Sequence, residues 1–205
     1  SMDKDKLEYK DALSKAKKLG YAESDPTSDI NGEDVASKLK ILTALAFNSY
    51  INNKSIHIEG IKSIDQTDIY NANQLGYKIK LVGVAEFEKN KITQRVHPAM
   101  IKENSYIAQI NGVLNAVIVE SIPVGKTVLQ GEGAGPGPTT SSLISDLCSV
   151  LRGNVKFPFV LSDKKRKLAF FENINRKKFS AYLRLDVKDK HGILSDITKI
   201  MAKNK

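Results

Sequence analysis

Between Glu33 and Phe47 the apolar residues Val35, Leu39, Leu42 and Ala46 step by four, three and four. That spacing lays them on one face of a helix. Downstream the period changes to short β-type runs: Ser55–Ile61, IKLVGVAEFE at 79–88, ITQRV after the turn residues Lys89-Asn90-Lys91, and NGVLNAVIVE at 111–120. Residues 65–75 return to a helical pattern between the first two. Helix, strand, helix and then hairpin strands is not the regular alternation that builds a parallel sheet. The order predicts an α+β fold with a mixed, largely antiparallel sheet covered by helices on one face.

Further helices are expected at 3–19, closed by Gly20, and over SSLISDLCSVL, which follows the densest glycine segment, GEGAGPGPTT at 131–140. Asn31 is the expected N-cap of the 33–47 helix, with acids in its first turn. Ser1 ahead of Met2 reads as a remnant outside the fold. The tail from Phe179 reads as one strand, AYLRLDV, a turn DKHG and one helix, ILSDITKIMAK. One strand and one helix cannot bury both their apolar faces, so this unit reads as incomplete.

Of the 205 residues 32 are Lys or Arg and 23 are Asp or Glu, a net charge of +9. Residues 1–154 are balanced, with 18 of each sign, so the whole excess sits in 155–205. There the cations cluster at Lys164–Lys167 and Arg176–Lys178. Lys outnumbers Arg 27 to 5, whereas base readout and phosphate forks favour Arg. The cluster therefore reads as a solvated connector, and no nucleic-acid partner is expected. No run of about 18 apolar residues and no apolar leader occurs, so no membrane partner is expected. With Cys148 alone, no disulfide framework exists, which fits a cytoplasmic protein. Cys148 is expected to be a small buried hydrophobe. His57, His97 and His191 show no metal-ligand spacing, and no metal site is expected.

Polar residues converge between Tyr21 and Lys38. Glu23, Asp25, Asp29, Glu33 and Asp34 put five carboxylates within twelve positions, and Lys38 lies one turn beyond Asp34 on the same helix face. Two readings are open. Asp34 and Lys38 can be an exposed ion pair near a helix start, contributing a few tenths of a kcal/mol. Alternatively, the carboxylates capture the ammonium of a zwitterion while the lysine passes a proton. The GEGAGPGPTT backbone, poor in side-chain cover, can approach a ligand closely. It is neither a dinucleotide fingerprint nor a P-loop.

Read as continuous text, LGYAESDPTSDINGEDVASKLKIL at 19–42 resembles the signature stretch of homoserine dehydrogenases, GY-x-E-x-DP-x-x-D-x-x-G-x-D-x-x-x-K, with every fixed position filled. The likeness continues through AFNSY, GIKSI, LGYKIKLVGVAE, INGVLNAVIVE and QGEGAGPGPTTSSLISDL, over roughly residues 5–154. From Tyr182, YLRLDVKDKHGILSDI is similar to the opening of an ACT regulatory domain. The resemblance implies three segments: a substrate-binding and dimerisation domain at 3–154, a basic connector at 155–178, and a truncated, ACT-like βα unit at 179–205. It implies hydride transfer between NAD or NADP and aspartate semialdehyde, giving homoserine. Lys38 would be the acid/base and Asp34 its orienting partner, both catalytic. Tyr21, Glu23 and Asp29 would bind substrate, and Gly131 and Gly133 would lie beside the cofactor. A homodimer is implied as well. No Rossmann fingerprint occurs, and the family's junction lysine and NGTTNYIL segment are missing, so the chain alone is expected to be inactive. Glu132 stands where the family often has Pro, and His191 where an ACT turn usually has Pro. An amino-acid-sensing ACT-type module is the competing reading.

Overall fold

The helix expected over 33–47 forms over those residues, α3 (Glu33–Phe47), in a computed structural model that describes residues 2–21, 25–50, 56–133, 135–154, 166–168, 170–171 and 177–203. Its start differs from expectation. Asn31 is the last residue of a short helix, α2 (Thr27–Asn31), rather than the cap of α3. Gly32, at φ 82°, closes α2 and opens α3 in one residue. The left-handed backbone there is what a residue without Cβ supplies. Upstream, α1 (Tyr9–Lys18) is shorter than the 3–19 pattern.

Downstream, α4 (Gln66–Gln74) is held open at its N-terminus by a reciprocal capping box: Asp65 accepts from the Asp68 N–H and Asp68 accepts from the Asp65 N–H. Strands β3 (Tyr77–Glu88) and β4 (Lys91–Lys102) form one long antiparallel hairpin, in register from Tyr77 opposite Lys102 to Glu88 opposite Lys91. Its two turn residues, Lys89 and Asn90, both have positive φ, 49° and 64°. That is the backbone a two-residue hairpin with native twist requires, reached here without a glycine.

Among the described residues there are three small sheets, the largest of them mixed. Beside β3–β4, the strands β2 (Ile56–Ile58) and β8 (Phe170–Phe171) pair parallel to β4. β1 (Ser49–Tyr50) pairs parallel to β7 (Lys167–Leu168), and β5 (Leu114–Ser121) pairs antiparallel to β6 (Gly125–Glu132). The short helix α5 (Tyr106–Gln109) links the first and last of these sheets. Neither α5 nor β6 is evident in the sequence pattern. The tail forms its helix, α7 (Ile193–Lys203). The expected AYLRLDV strand does not form: residues 179–190 are not in a strand, because no neighbouring strand among the described residues completes a ladder with it.

α3 sits on the β3–β4 sheet. Ala36, Leu39 and Val96 are buried together, with Val35, Ile56, Leu81 and Ala85 packed around them. Burying Leu39 and Val96 contributes about 2 kcal/mol each by apolar area. Gly83 lets the helix approach: a Cβ on it would come within 3.1 Å of Val35 Cγ1. The site-bearing helix thus rests partly on β4, where Ile92 and Val96 have no exposed surface.

The alternate residues of β3 and β4 meet the carboxy-terminal segment instead. Arg95 donates to both carboxylate oxygens of Glu86, at 3.0 and 3.3 Å, and Lys177 Nζ lies 2.8 Å from Glu86 Oε2. The Phe179 ring stacks 4.7 Å under the Arg95 guanidinium. Further on, Arg184 reaches the capping carboxylates Asp65 and Asp68, at 2.7 and 2.8 Å, and Asn71 donates to the Tyr182 hydroxyl. The Arg95 bonds hold the Glu86 carboxyl down at about 2, against some burial, with Lys177 adding to the effect. A depressed carboxyl stabilises the fold above its unfolded value and loses that contribution as pH falls toward the folded value. Glu86→Gln is therefore expected to destabilise the chain by about 1 kcal/mol at pH 7, after discounting for partial solvent exposure. Urea midpoints of the two proteins should converge as pH is lowered from about 4.5 toward 2.

Candidate active site at the start of α3

Lys38 and Asp34 are four residues apart on α3, and Lys38 Nζ lies 2.7 Å from Asp34 Oδ2. Both heads reach solvent, with side-chain exposures of 60% and 40%, while the same helix buries Ala36 and Leu39 against the sheet. The pair is thus held by a fixed backbone yet open to a ligand, so that a bound molecule can reach the amine.

The other carboxylates of the segment divide into roles. Asp25 is engaged locally: its Oδ1 accepts from the Thr27 N–H at 3.1 Å and from the Thr27 hydroxyl, which opens α2. The Thr27 hydroxyl, and then its N–H, hold the Asp25 carboxyl below the usual range. Asp29 is exposed on α2, two residues before the end of a helix that joins α3 through Gly32. Tyr21 follows α1, where its N–H donates to the Ala16 carbonyl, and its ring is exposed. Glu23 lies outside the described residues.

Gly131 and Gly133 stand apart, at the end of β6 and just beyond it. A Cβ on Gly131 would meet nothing within 4 Å, so its backbone is open. The Gly133 N–H donates to the Val113 carbonyl at 2.9 Å, and a Cβ there would collide with the Asn115 amide. Gly135 then caps α6 (Pro136–Leu151), with Pro136 in its first turn. In this chain Asp34 and Lys38 are in contact, Asp29 stands across the Gly32 junction, and the two glycines belong to a different sheet.

Two other groups define what the site is not. Lys80 is half-buried, and burial pushes its amine pKa down. Its Nζ donates to the Ile110 carbonyl at 2.6 Å and to Asn111 Oδ1 at 3.1 Å, which ties the turn before β5 rather than facing a ligand. Cys148 is half-buried on α6, not fully buried as expected, because no residue of that helix is buried. Among the described residues no group of three or more His, Cys, Asp or Glu is placed to hold a metal, and no helix is long and apolar enough to cross a membrane.

A family model described as homoserine dehydrogenase matches residues 1–148. The chain belongs to the homoserine dehydrogenase family. The homoserine dehydrogenase of Helicobacter pylori is 39% identical over 203 residues, covering 99% of this chain and 48% of that protein. The Pseudomonas aeruginosa enzyme is 37% identical over 203 residues, covering 95% and 46%. A crystal structure of a homoserine dehydrogenase from Thiobacillus denitrificans superposes with a TM-score of 0.76 at 37% identity, over 98% of this chain and 48% of that one. A hyperthermophilic archaeal homoserine dehydrogenase mutant in complex with NADPH matches with a TM-score of 0.53 at 26% identity, over 70% of this chain and 40% of that one. The chain spans about half the length of the curated relatives it matches.

The family match contains every candidate residue from Tyr21 to Gly133 and ends at residue 148. At the α2–α3 junction Gly32 joins the helix that carries Asp29 to the helix that carries the Asp34–Lys38 pair. The sequence pattern gives residues 59–61 no place in the site, only the end of the expected 55–61 strand and part of the GIKSI likeness; in the structure they press on that junction.

Proposed function

We propose that this chain is the substrate-binding part of a cytoplasmic NAD- or NADP-dependent homoserine dehydrogenase, interconverting aspartate semialdehyde and homoserine. The observation that carries the reading is the 2.7 Å Lys38–Asp34 pair, solvent-facing on a helix otherwise packed into the sheet. Asp34 orients the Lys38 amine. As an alkoxide-like oxygen develops on the substrate carbon, the Lys38 ammonium donates a proton to it; in the reverse direction the amine takes that proton from the hydroxyl. Asp29 and Glu23 attract the substrate ammonium, and Tyr21 lines the same pocket.

When bound, the nicotinamide ring supplies or accepts the hydride. The open backbone at Gly131, ahead of the glycine-capped start of α6, fits close approach by such a planar ring. The sequence carries no dinucleotide fingerprint, so the rest of the cofactor needs a partner domain. By itself the 205-residue chain is accordingly expected to oxidise no NADH or NADPH with aspartate semialdehyde. Turnover by the isolated chain, followed at 340 nm, would contradict this.

A homodimer through β5, β6 and α6 is part of the proposal. A two-stranded hairpin is marginal alone. Here it and α6 leave Val119, Leu129, Leu143, Leu147 and Val150 exposed. The competing reading, an amino-acid-sensing ACT-type module, draws on the way residues 177–184 grip β3, β4 and α4. A saturable heat on titrating threonine into the chain would favour it.

The assignment is tested in the full-length enzyme by Asp34→Asn. The expected result is a fall in kcat of at least about tenfold with the cofactor KM unchanged, because the variant leaves Lys38 unoriented. Unchanged kcat would remove Asp34 from the mechanism.

A further inference from the structure

We propose that Gly60 is a positioning residue for Asp29: it forms a backbone seat that fixes the end of α2, and with it the substrate-binding carboxylate. This inference rests on the reading of Asp29 as part of the substrate pocket. Three peptide units carry it. The Glu59 N–H donates to the Val96 carbonyl at 2.8 Å, which anchors the segment to β4 at a fully buried residue. Two residues later the Ile61 N–H donates to the Ile30 carbonyl at 2.9 Å, on the residue next after Asp29. Between them Gly60 lies flat against α2. A Cβ there would come within 2.2 Å of the Ile30 oxygen, 2.7 Å of Asn31 Cα and 3.0 Å of the Asn31 carbonyl carbon.

All three are backbone atoms, so no side chain can swing aside to make room. Gly32 rests on the same strands from the other direction: its Cβ position is 3.1 Å from Val96 Cγ1 and 3.4 Å from Ile58 Cγ2. The α2 end is therefore gripped between β2, β4 and the 59–61 segment. Restoring ordinary contact after adding a methyl group at Gly60 requires a shift of about 1 Å, and misplacements of that size in a binding constellation carry large kinetic penalties. α3 shares Val96 and Ile56 with that seat but has a further one on β3, at Gly83, Leu81 and Ala85. A shift taken up at the Gly32 turn therefore falls on Asp29 more than on the Asp34–Lys38 pair.

The test is steady-state kinetics of the full-length enzyme with Gly60→Ala, Asp29→Asn and the double variant. Gly60→Ala is expected to raise KM for homoserine roughly tenfold or more. Its kcat and the pH profile of kcat should stay near those of the parent, because an interaction made equally in ground and transition states is what weakens. A general loss of folding would lower kcat through the active fraction and leave KM where it was. In the Asp29→Asn background the Gly60→Ala effect on KM should vanish, since the two act through one contact.

An unchanged KM in Gly60→Ala, or the same fold-rise in KM in both backgrounds, overturns the proposal. Should Gly60→Ala not accumulate as folded protein, Ile61→Pro removes the N–H that the Ile30 carbonyl accepts, and the same rise and the same cancellation by Asp29→Asn are expected of it. An Asp29→Asn variant with unaltered KM would instead contradict the pocket itself, which separates the two failures.

Discussion

Lys38→Ala in the full-length enzyme is expected to lower kcat for both directions of the reaction by roughly 100-fold or more, the size of a lost general acid/base. The physical ground is the division of labour within α3. One stripe, Ala36 and Leu39, is buried under the sheet. The stripe carrying Asp34 and Lys38 faces solvent with the two heads 2.7 Å apart. Removing the amine changes no buried contact, so the melting temperature should move by less than a few degrees and the loss should appear in kcat. If the pair were only an exposed helix-surface bridge, its removal would cost a few tenths of a kcal/mol of stability and no activity. The two readings left open by spacing alone are thus separated by a factor of about 100 against a factor of about one.

The second large effect concerns assembly. Leu143→Asp together with Leu147→Asp is expected to weaken the proposed dimer by at least about 100-fold, because two carboxylates would have to be desolvated on closing the interface. Both side chains lie four residues apart on one face of α6, and both are more than half exposed in the single chain. No residue of α6 is buried. Sixteen residues of apolar-periodic helix without a buried position are improbable in an isolated protein and ordinary in a subunit interface. Sedimentation velocity at micromolar concentration should show a dimer that the double variant converts to monomer. A parent protein that sediments as a monomer contradicts the assembly.

The parts of this fold that are legible in sequence are those set by local chemistry. The 33–47 helix is readable because its apolar steps of four, three and four match one helix face over four turns, and it forms over those residues. The 65–75 helix forms as 66–74 because Asp65 and Asp68 carry a cap that short-range chemistry completes. The hairpin is readable from alternation, although Lys89-Asn90 is a weak turn pair and the strands run further at both charged ends than the apolar core suggests.

What is not legible depends on partners distant in sequence. GKTVLQGE carries a diluted alternation, and it is a strand because LNAVIVES lies beside it in register. AYLRLDV has a strand's composition and no partner strand among the described residues, so it does not become one. Asn31 has the composition of a cap, yet the chain continues α2 through it and turns at Gly32 instead.

The site divides along the same line. Asp34 and Lys38 are readable as a pair because a helix fixes their spacing, and the contact forms as that spacing dictates. Asp25, indistinguishable in the text from its neighbours, is taken out of the set by Thr27, a turn interaction visible only in three dimensions. Gly60 is visible in the sequence only as part of the GIKSI likeness, which does not say what it touches. Its place against Ile30 and Asn31 follows from a strand pairing that brings residues 56–58 beside 94–96.

The central claim is that Lys38 carries the proton while hydride moves, and chemical rescue tests it most directly. In the full-length Lys38→Ala enzyme, added methylammonium or ethylammonium should restore kcat in proportion to amine concentration, with a dependence on amine pKa that mirrors general acid/base transfer. A Lys38→Ala enzyme whose rate is indifferent to added amines, or that retains the parent kcat without them, would contradict the account.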